Sequence, residues 1–464
     1  MKHLTKRVQR IAKYIHNGYL SEHDKSVLAD YNKSNPKYNS LISKILSNRF
    51  DLTKDSIQLD AMLKDSSFKV RFQRQHSKIG ISISEQIRLL EKRELIINPE
   101  DKGFVEEVLN TISYYHLRGY FLPFEKEKKL LTDNQFKENT NFQQIYKLYT
   151  FDRGIKHLLF GAIQKIEIYL RTQFVLELCV NRSLGHVFTQ YLENNKPVKL
   201  DQVQKETLAN FIKNISNTDY KRIAAQLLQH KYLSTQADKD TLKSMIESES
   251  FRVYCGLSHP HLDKRNFIEP PELEDENDIK PLSHDDVVRN LTDELPKANE
   301  IFISHYYLHY SEPEHPPMWS AFEVLTIGRL SKWISLLKVE NGVNLFPTLE
   351  FKTTTLKSLV HTISELRNQI AHHHRLVYKN IPFFDKLPRE PKQLSENLVP
   401  NSYRLFNLLM IIGHIITKID KNDSWVQELI NYLNQYDYEQ LHLAGCPHDW
   451  EARLSCLVGI SNEK

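Results

Sequence analysis

"FQQIYKLYTFDRGIKHLLFGAIQKIEIYLRTQFVLELCV", Phe142–Val180, decides the class of fold. Ile155, Leu158, Leu159, Ala162, Ile163, Ile166 and Leu170 recur at three- and four-residue intervals. A helix of about 3.6 residues per turn gathers that set into one apolar stripe. A strand, whose side chains alternate between faces, would scatter it. The spacing therefore predicts one long helix facing a core. Glu167 lies within or beside the stripe, with Arg171 one turn on. The pair reads either as a structural ion pair or as the border of an active site.

Composition extends the helical reading to the whole chain. Only 13 glycines are spread over 464 residues, too few for sandwiches, barrels or Gly-rich phosphate loops, which need positive φ at many turns. The expected class is all-α. The four cysteines (Cys179, Cys255, Cys446, Cys456) stand far apart with no CxxC pairing. A disulfide framework or a Cys-rich zinc site is therefore not expected, and a reducing compartment fits. The first 20 residues lack the apolar stretch of a signal peptide. The most apolar run, "NLLMIIGHIIT" (Asn407–Thr417), is too short to span a bilayer. The expectation is a cytoplasmic protein with no membrane segment.

Charge divides the chain. Residues 1–80 hold 16 Lys/Arg against 7 Asp/Glu, while the whole carries only +4, so a basic segment is joined to a mildly acidic body. That asymmetry suits either a nucleic-acid arm or ordinary solvated lysine-rich helices. Short helices are expected before Asn17-Gly18, from Ser21, and after Pro36. "SISEQIRLLEKREL" (Ser82–Leu95) reads as another, and "VEEVLNTISYYHLRGYFLPF" (Val105–Phe124) as a helix running into an aromatic turn broken by Gly119 and Pro123. Residues 260–298 are rich in Pro and acids and poor in periodicity, and read as a mobile acidic loop or insertion. The expected organisation is a basic helical segment over 1–80, a helical body over 81–394 interrupted by that insertion, and C-terminal helices over 395–464 packing on the body.

"SELRNQIAHHHRLVY", Ser364–Tyr378, packs Arg, Asn and three consecutive histidines into a segment that otherwise reads as an amphipathic helix. Leu356, Leu359, Val360, Ile363, Leu366 and Ile370 form its inward stripe. His361, Glu365, Asn368 and His372 fall roughly opposite. Asn368 and His372 are one turn apart, so the amide can orient the imidazole. Arg367 stands about 140° from His372 on an ideal helix, so one helix alone joins them poorly. Three readings compete. A metal site requires converging ligands, whereas neighbouring histidines fan apart and no second His/Cys cluster stands nearby. A chance surface cluster is the second. The third is metal-free RNA cleavage, in which a histidine of ordinary pKa, about 6.5, moves a proton between the 2′-hydroxyl and the leaving 5′-oxygen. An arginine then neutralises charge on the transition state. Arg and His with four to six residues between them also occur at Arg10–His16, Arg71–His76 and Arg252–His259, so the spacing alone is weak. The fuller string R-N-Q-I-A-H in a periodic helix sets Arg367 apart.

With those residues in place, the sequence resembles the abortive-infection AbiD/AbiF-type family of Abi-like proteins, within the HEPN superfamily. Five ordered segments carry the likeness: "SISEQIRLLEKREL", "ISYYHLRGYFLPF", "IYKLYTFDRGIKHLLFGAIQKIEIYLRTQFVLEL", "PPMWSAFEVLTIGRLSKWISLL" and "ELRNQIAHHHRLVY". The resemblance implies a HEPN-type helical bundle and a metal-independent endoribonuclease of antiphage defence, without a cofactor. Arg367, Asn368 and His372 fall on the family's R-N-x-x-x-H positions. A more distant likeness reaches the HEPN domains of type VI CRISPR effectors, which pair two such motifs. This chain has one credible copy, so a homodimer is the expected way to complete a site. The run His372–His374 leaves the catalytic histidine open, because His374 shares the face of Arg367. The expected roles are His372 as general acid/base, Arg367 as phosphate-charge stabiliser and Asn368 as orienter. Lys6, Arg7, Arg10 and Lys13 would hold RNA through its phosphates, as substrate or as a structured guide or antitoxin. The alternative is a non-catalytic RNA-binding module that keeps the fold.

Overall fold

The computed structural model describes residues 6–16, 20, 22–52, 54–65, 80–126, 134–194, 199–254, 264–270, 281–311, 314–339, 344–381 and 387–459. The chain divides into two units, Met1–Ser82 and Ile83–Lys464. Among the described residues there is no extended strand, only three isolated bridges.

The first unit contains α1 (Lys6–His16), α2 (Glu22–Ser34), α3 (Asn39–Leu46) and α4 (Ser56–Lys64). Its core joins Ile11, Ala12 and Ile15 of α1 to Leu28, Leu41, Ile42, Ile45, Leu59 and Met62. The apolar positions of α1 recur at helical spacing, and this alone makes it amphipathic. Lys6, Arg7, Arg10 and Lys13 fall on α1, and their side chains lie outside the described residues.

The second unit begins with α5 (Ile83–Lys92), α6 (Lys102–Thr111) and α7 (Tyr114–Phe121). Here the expected helix running into an aromatic turn broken by Gly119 and Pro123 is corrected. The chain breaks at Ile112–Ser113, and Ser113 caps α7 by accepting from the His116 N–H at 3.2 Å. Gly119 lies inside α7 and breaks nothing. A Cβ there would come within 3.3 Å of Arg375 Nε, so its absence lets that side chain approach.

The long helix is α8, Phe142–Leu176, ending in a π-turn at Glu177–Asn181. It starts at a capping box in which Asn141 and Gln144 exchange hydrogen bonds. The expected stripe is buried at Ile155, Leu159, Ala162, Ile163, Ile166 and Leu170, and Leu158 packs at its edge. Five helices follow: α9 (Leu184–Asn194), α10 (Gln202–Asn214), α11 (Thr218–Leu228), α12 (Gln236–Glu247) and α13 (Glu249–Tyr254). They enclose a second core around Phe188, Phe211, Leu242 and Phe251.

The expected loop at 260–298 is also corrected. Its described part carries α14 (His284–Thr292), capped by Ser283, and Phe267, Val287, Leu291 and Leu295 are buried in the main core. The acids that hid this helix from a periodicity reading occupy its first turn, where they favour the helix dipole. Residues 260–263 and 271–280 of that stretch lie outside the described residues.

The remainder comprises α15 (Ile301–His309), α16 (Met318–Ala321), α17 (Ile327–Leu336), α18 (Thr353–Ala371), α19 (Lys392–Asn397), α20 (Leu405–Ile419), α21 (Trp425–Leu433), α22 (Tyr438–Ala444) and α23 (Trp450–Ser455). Twelve consecutive residues of α20, Leu405 to Ile416, are buried, as expected of a helix apolar on all sides. It packs along α8, which also contacts α7, α17, α18 and α21. Helix α8 is the spine of the unit. Among the described residues no helix is long and apolar enough to cross a membrane.

Candidate functional site

Helix α18 stops at the histidines. His372 is its C-cap, and His373 takes the left-handed conformation at φ 57°. The His373 N–H donates to the Ile370 carbonyl at 3.0 Å and the His374 N–H to that of Gln369 at 2.8 Å. This is the Schellman pattern, with a histidine where glycine is usual. A side chain in that conformation costs roughly 1 kcal/mol. The turn ends the helical register on which Arg367 and His372 were related by angle.

The loop beyond is pinned by a buried carboxylate. Asp152 of α8 is fully buried. Its Oδ1 accepts from the Leu376 and Val377 N–H groups at 2.9 and 3.1 Å. Its Oδ2 accepts from Tyr120 Oη at 2.7 Å and pairs with Lys156 Nζ at 2.6 Å. Burial, then the Asp152 charge, pushes the Tyr120 hydroxyl well above its ordinary pKa, so it stays a donor. Lys379 adds a second tie, donating to Gln369 Oε1 at 2.9 Å. The histidine turn is thus held from both sides.

What it faces is a cleft of about 760 Å³. One wall is the α6–α7 break with His116. A second is the α8 face bearing Tyr149, Arg153, Lys156, His157 and Phe160. The third is Ile370 and Ala371 with His372 and His373. Three histidine-bearing segments remote in sequence therefore share one concave site lined by no carboxylate among the described residues, and Asp152, the partner of Lys156, is committed to internal bonds. Burial lowers the pKa of His116, and Lys156 and His373 lower it further against the opposing pull of Asp152.

Of the residues expected from sequence, His372 lines the cleft. Arg367 and Asn368, half-buried one turn back on α18, and His374 do not line it. The His372 N–H donates to the Asn368 carbonyl at 3.0 Å, and among the described residues no side-chain hydrogen bond joins the two. The Glu167–Arg171 pair lies elsewhere. Arg171 also reaches Glu323 at 3.2 Å and the Leu325 carbonyl at 2.8 Å, tying α8 to the turn after α16. His116, Arg153, Lys156 and His157 were not singled out from sequence. The signal for three of them was present: Tyr149, Arg153, Lys156, His157 and Phe160 recur at helical spacing on one face of α8.

The model of the Abi-like protein family matches residues 107–245 and 240–378, together more than half of the chain. The chain belongs to the Abi-like protein family. Membership suggests a role in abortive-infection defence. The matched residues contain all three walls of the cleft. Neither the curated proteins nor the solved structures provide a match.

Proposed function

We propose that the protein is a metal-independent endoribonuclease of antiphage defence, acting in abortive infection or as a toxin, with the cleft as its reaction site. The reading is carried by the meeting of His372 and His373 with His116, Arg153 and Lys156 around one cavity. Cleavage of RNA requires a group that takes the 2′-hydroxyl proton and a group that gives one to the leaving 5′-oxygen. The 2′-oxygen bonds to phosphorus, the bond to the 5′-oxygen breaks, and a 2′,3′-cyclic phosphate remains. His372 supplies one of these groups and His116, from the facing wall, the other. Arg153 stands where negative charge would gather. Arg367 and Asn368 keep the roles implied by the family motif, as charge stabiliser and orienter. A homodimer bringing two ends of α18 together would supply the second arginine. The basic residues Lys6, Arg7, Arg10 and Lys13 would hold RNA, whether substrate, guide or antitoxin.

The test is incubation of a labelled RNA with the purified chain in EDTA, with mass analysis of product ends. Cyclic phosphates from the parent chain, and a loss of about 100-fold or more in His372→Ala, are expected. Uncut RNA that stays bound would overturn the reading in favour of a non-catalytic RNA-binding module. The position of Arg367 outside the cleft lining favours that second reading.

A further inference from the structure

Five residues of α8 line the cleft: Tyr149, Arg153, Lys156, His157 and Phe160. On a helix these positions fall within one face, and the rise from first to last is about 16 Å. An aromatic ring stands at each end, with cations between. The Tyr149 ring is braced edge-on by Tyr120 at 5.5 Å and by His116 at 5.9 Å, and Arg153 lies over it at 6.0 Å. Phe160 is 36% exposed, and its ring lines the cleft. Arg153 and His157 are exposed, and among the described residues no carboxylate pairs with either. Lys156 is committed to Asp152 and fixes the middle of the row.

We propose that this α8 face is a ledge for single-stranded RNA, about three nucleotides long, with bases stacked on Tyr149 and Phe160 and phosphates held by Arg153 and His157. The proposal rests on the nuclease reading for its polymer and adds the form of RNA the site takes. Stacking on a protein ring requires an unpaired base, and a duplex keeps its bases against one another. The cleft of about 760 Å³ is in the size range of sites that hold small ligands, enough for a few unpaired nucleotides. A strand lying on the ledge would pass the histidine turn, which lines the same cleft.

The experiment is fluorescence anisotropy of a six-nucleotide 2′-O-methyl RNA, which binds but cannot be cut, titrated with the full chain and its variants. Arg153→Glu and Phe160→Ala alter exposed side chains, and circular dichroism melts check that each folds. The expected result is a Kd raised about tenfold or more by each variant. Arg153→Glu should also flatten the dependence of log Kd on log salt by about one unit, and a hairpin of matching composition should compete poorly. Binding unchanged in both variants, no binding by the parent chain, or equal competition by the hairpin would overturn the ledge. Because the probe cannot react, a ledge that holds while RNA goes uncut would sink the nuclease reading alone, and the converse would sink the ledge alone.

Discussion

Helix α8 carries two acid–base pairs at the same i, i+4 spacing, Asp152–Lys156 and, about four turns on, Glu167–Arg171. From sequence the second drew attention, because it borders the apolar stripe. In the fold their fates diverge. Glu167 keeps 18% of its side chain exposed, and Arg171 has a second carboxylate and a carbonyl to bond. Asp152 is sealed, and its two oxygens serve Lys156, a tyrosine hydroxyl and two backbone N–H groups more than 220 residues away in sequence. Equal local spacing thus produced a cross-tie at one end of the helix and the anchor of the candidate site near its middle. The difference comes from what the rest of the chain brings against each pair.

The strongest way to break that contrast is to remove each acid. Asp152→Ala leaves a lysine and several donors buried without their acceptor, and should cost about 3–5 kcal/mol, with loss of the histidine turn's order. Glu167→Ala leaves Arg171 its other partners and should cost about 1 kcal/mol or less. Urea melts of the two variants decide it, and equal losses would refute the assignment of Asp152 as anchor.

A second pair of substitutions asks whether the middle of α8 is tightly packed while its next turns are not. A Cβ on Gly154 would collide with the Tyr432 ring, whose hydroxyl donates to the Thr150 and Phe151 carbonyls at 3.1 and 3.0 Å. Gly154→Ala should destabilise by about 1–3 kcal/mol. At Gly161 nothing lies within 4 Å of the added atom, so Gly161→Ala should stabilise by up to about 1 kcal/mol through helix propensity. Thermal melts with opposite shifts are expected.

At the histidine turn, His373→Gly separates fold from chemistry. Glycine suits the left-handed position, so stability should hold or rise by about 0.5–1 kcal/mol, while on the proposed nuclease reading RNA cleavage should fall because an imidazole leaves the cleft. A clear drop in melting temperature would show that the His373 side chain holds the turn.

The smallest expected effect is on the pH dependence of stability. Burial depresses His116, helped by Lys156 and His373, and burial likewise depresses His414 on α20, where Lys418 lowers and the Leu349 carbonyl and Glu350 raise its proton affinity. In the unfolded chain these histidines titrate near 6.5. Above that pH both states are neutral and nothing is lost. As pH falls below it, the unfolded chain takes up protons before the folded one, so stability declines until the depressed folded values are passed. Denaturant melts between pH 5 and 7.5 should show that slope, and His116→Asn should remove part of it. An unchanged slope would place the titration at His414 alone.

Much of the helical framework was legible because amphipathic periodicity is local. The stripe of α8 and that of α18 needed only residues within a few turns of one another, and α14 was missed because acids in its first turn obscured a short repeat. The site was legible in one wall only. His372 stands out as part of a run, but nothing near Ser113 or Arg153 signals that these segments meet it, since the contacts that join them cross more than 200 residues.

By itself the sequence determined that long amphipathic helices would form, that their apolar faces would be buried, and that a cluster of imidazoles would accompany one of them. Each of those outcomes follows from side-chain spacing on a helix whose geometry the backbone dictates. Only the tertiary structure decided that His116 and His372 would line one cleft, that Arg367 would lie outside that lining, and that Asp152 rather than Glu167 would be sealed from water. Those outcomes depend on desolvation and on backbone groups delivered from distant segments, and such groups acquire partners only when the whole unit closes around α8.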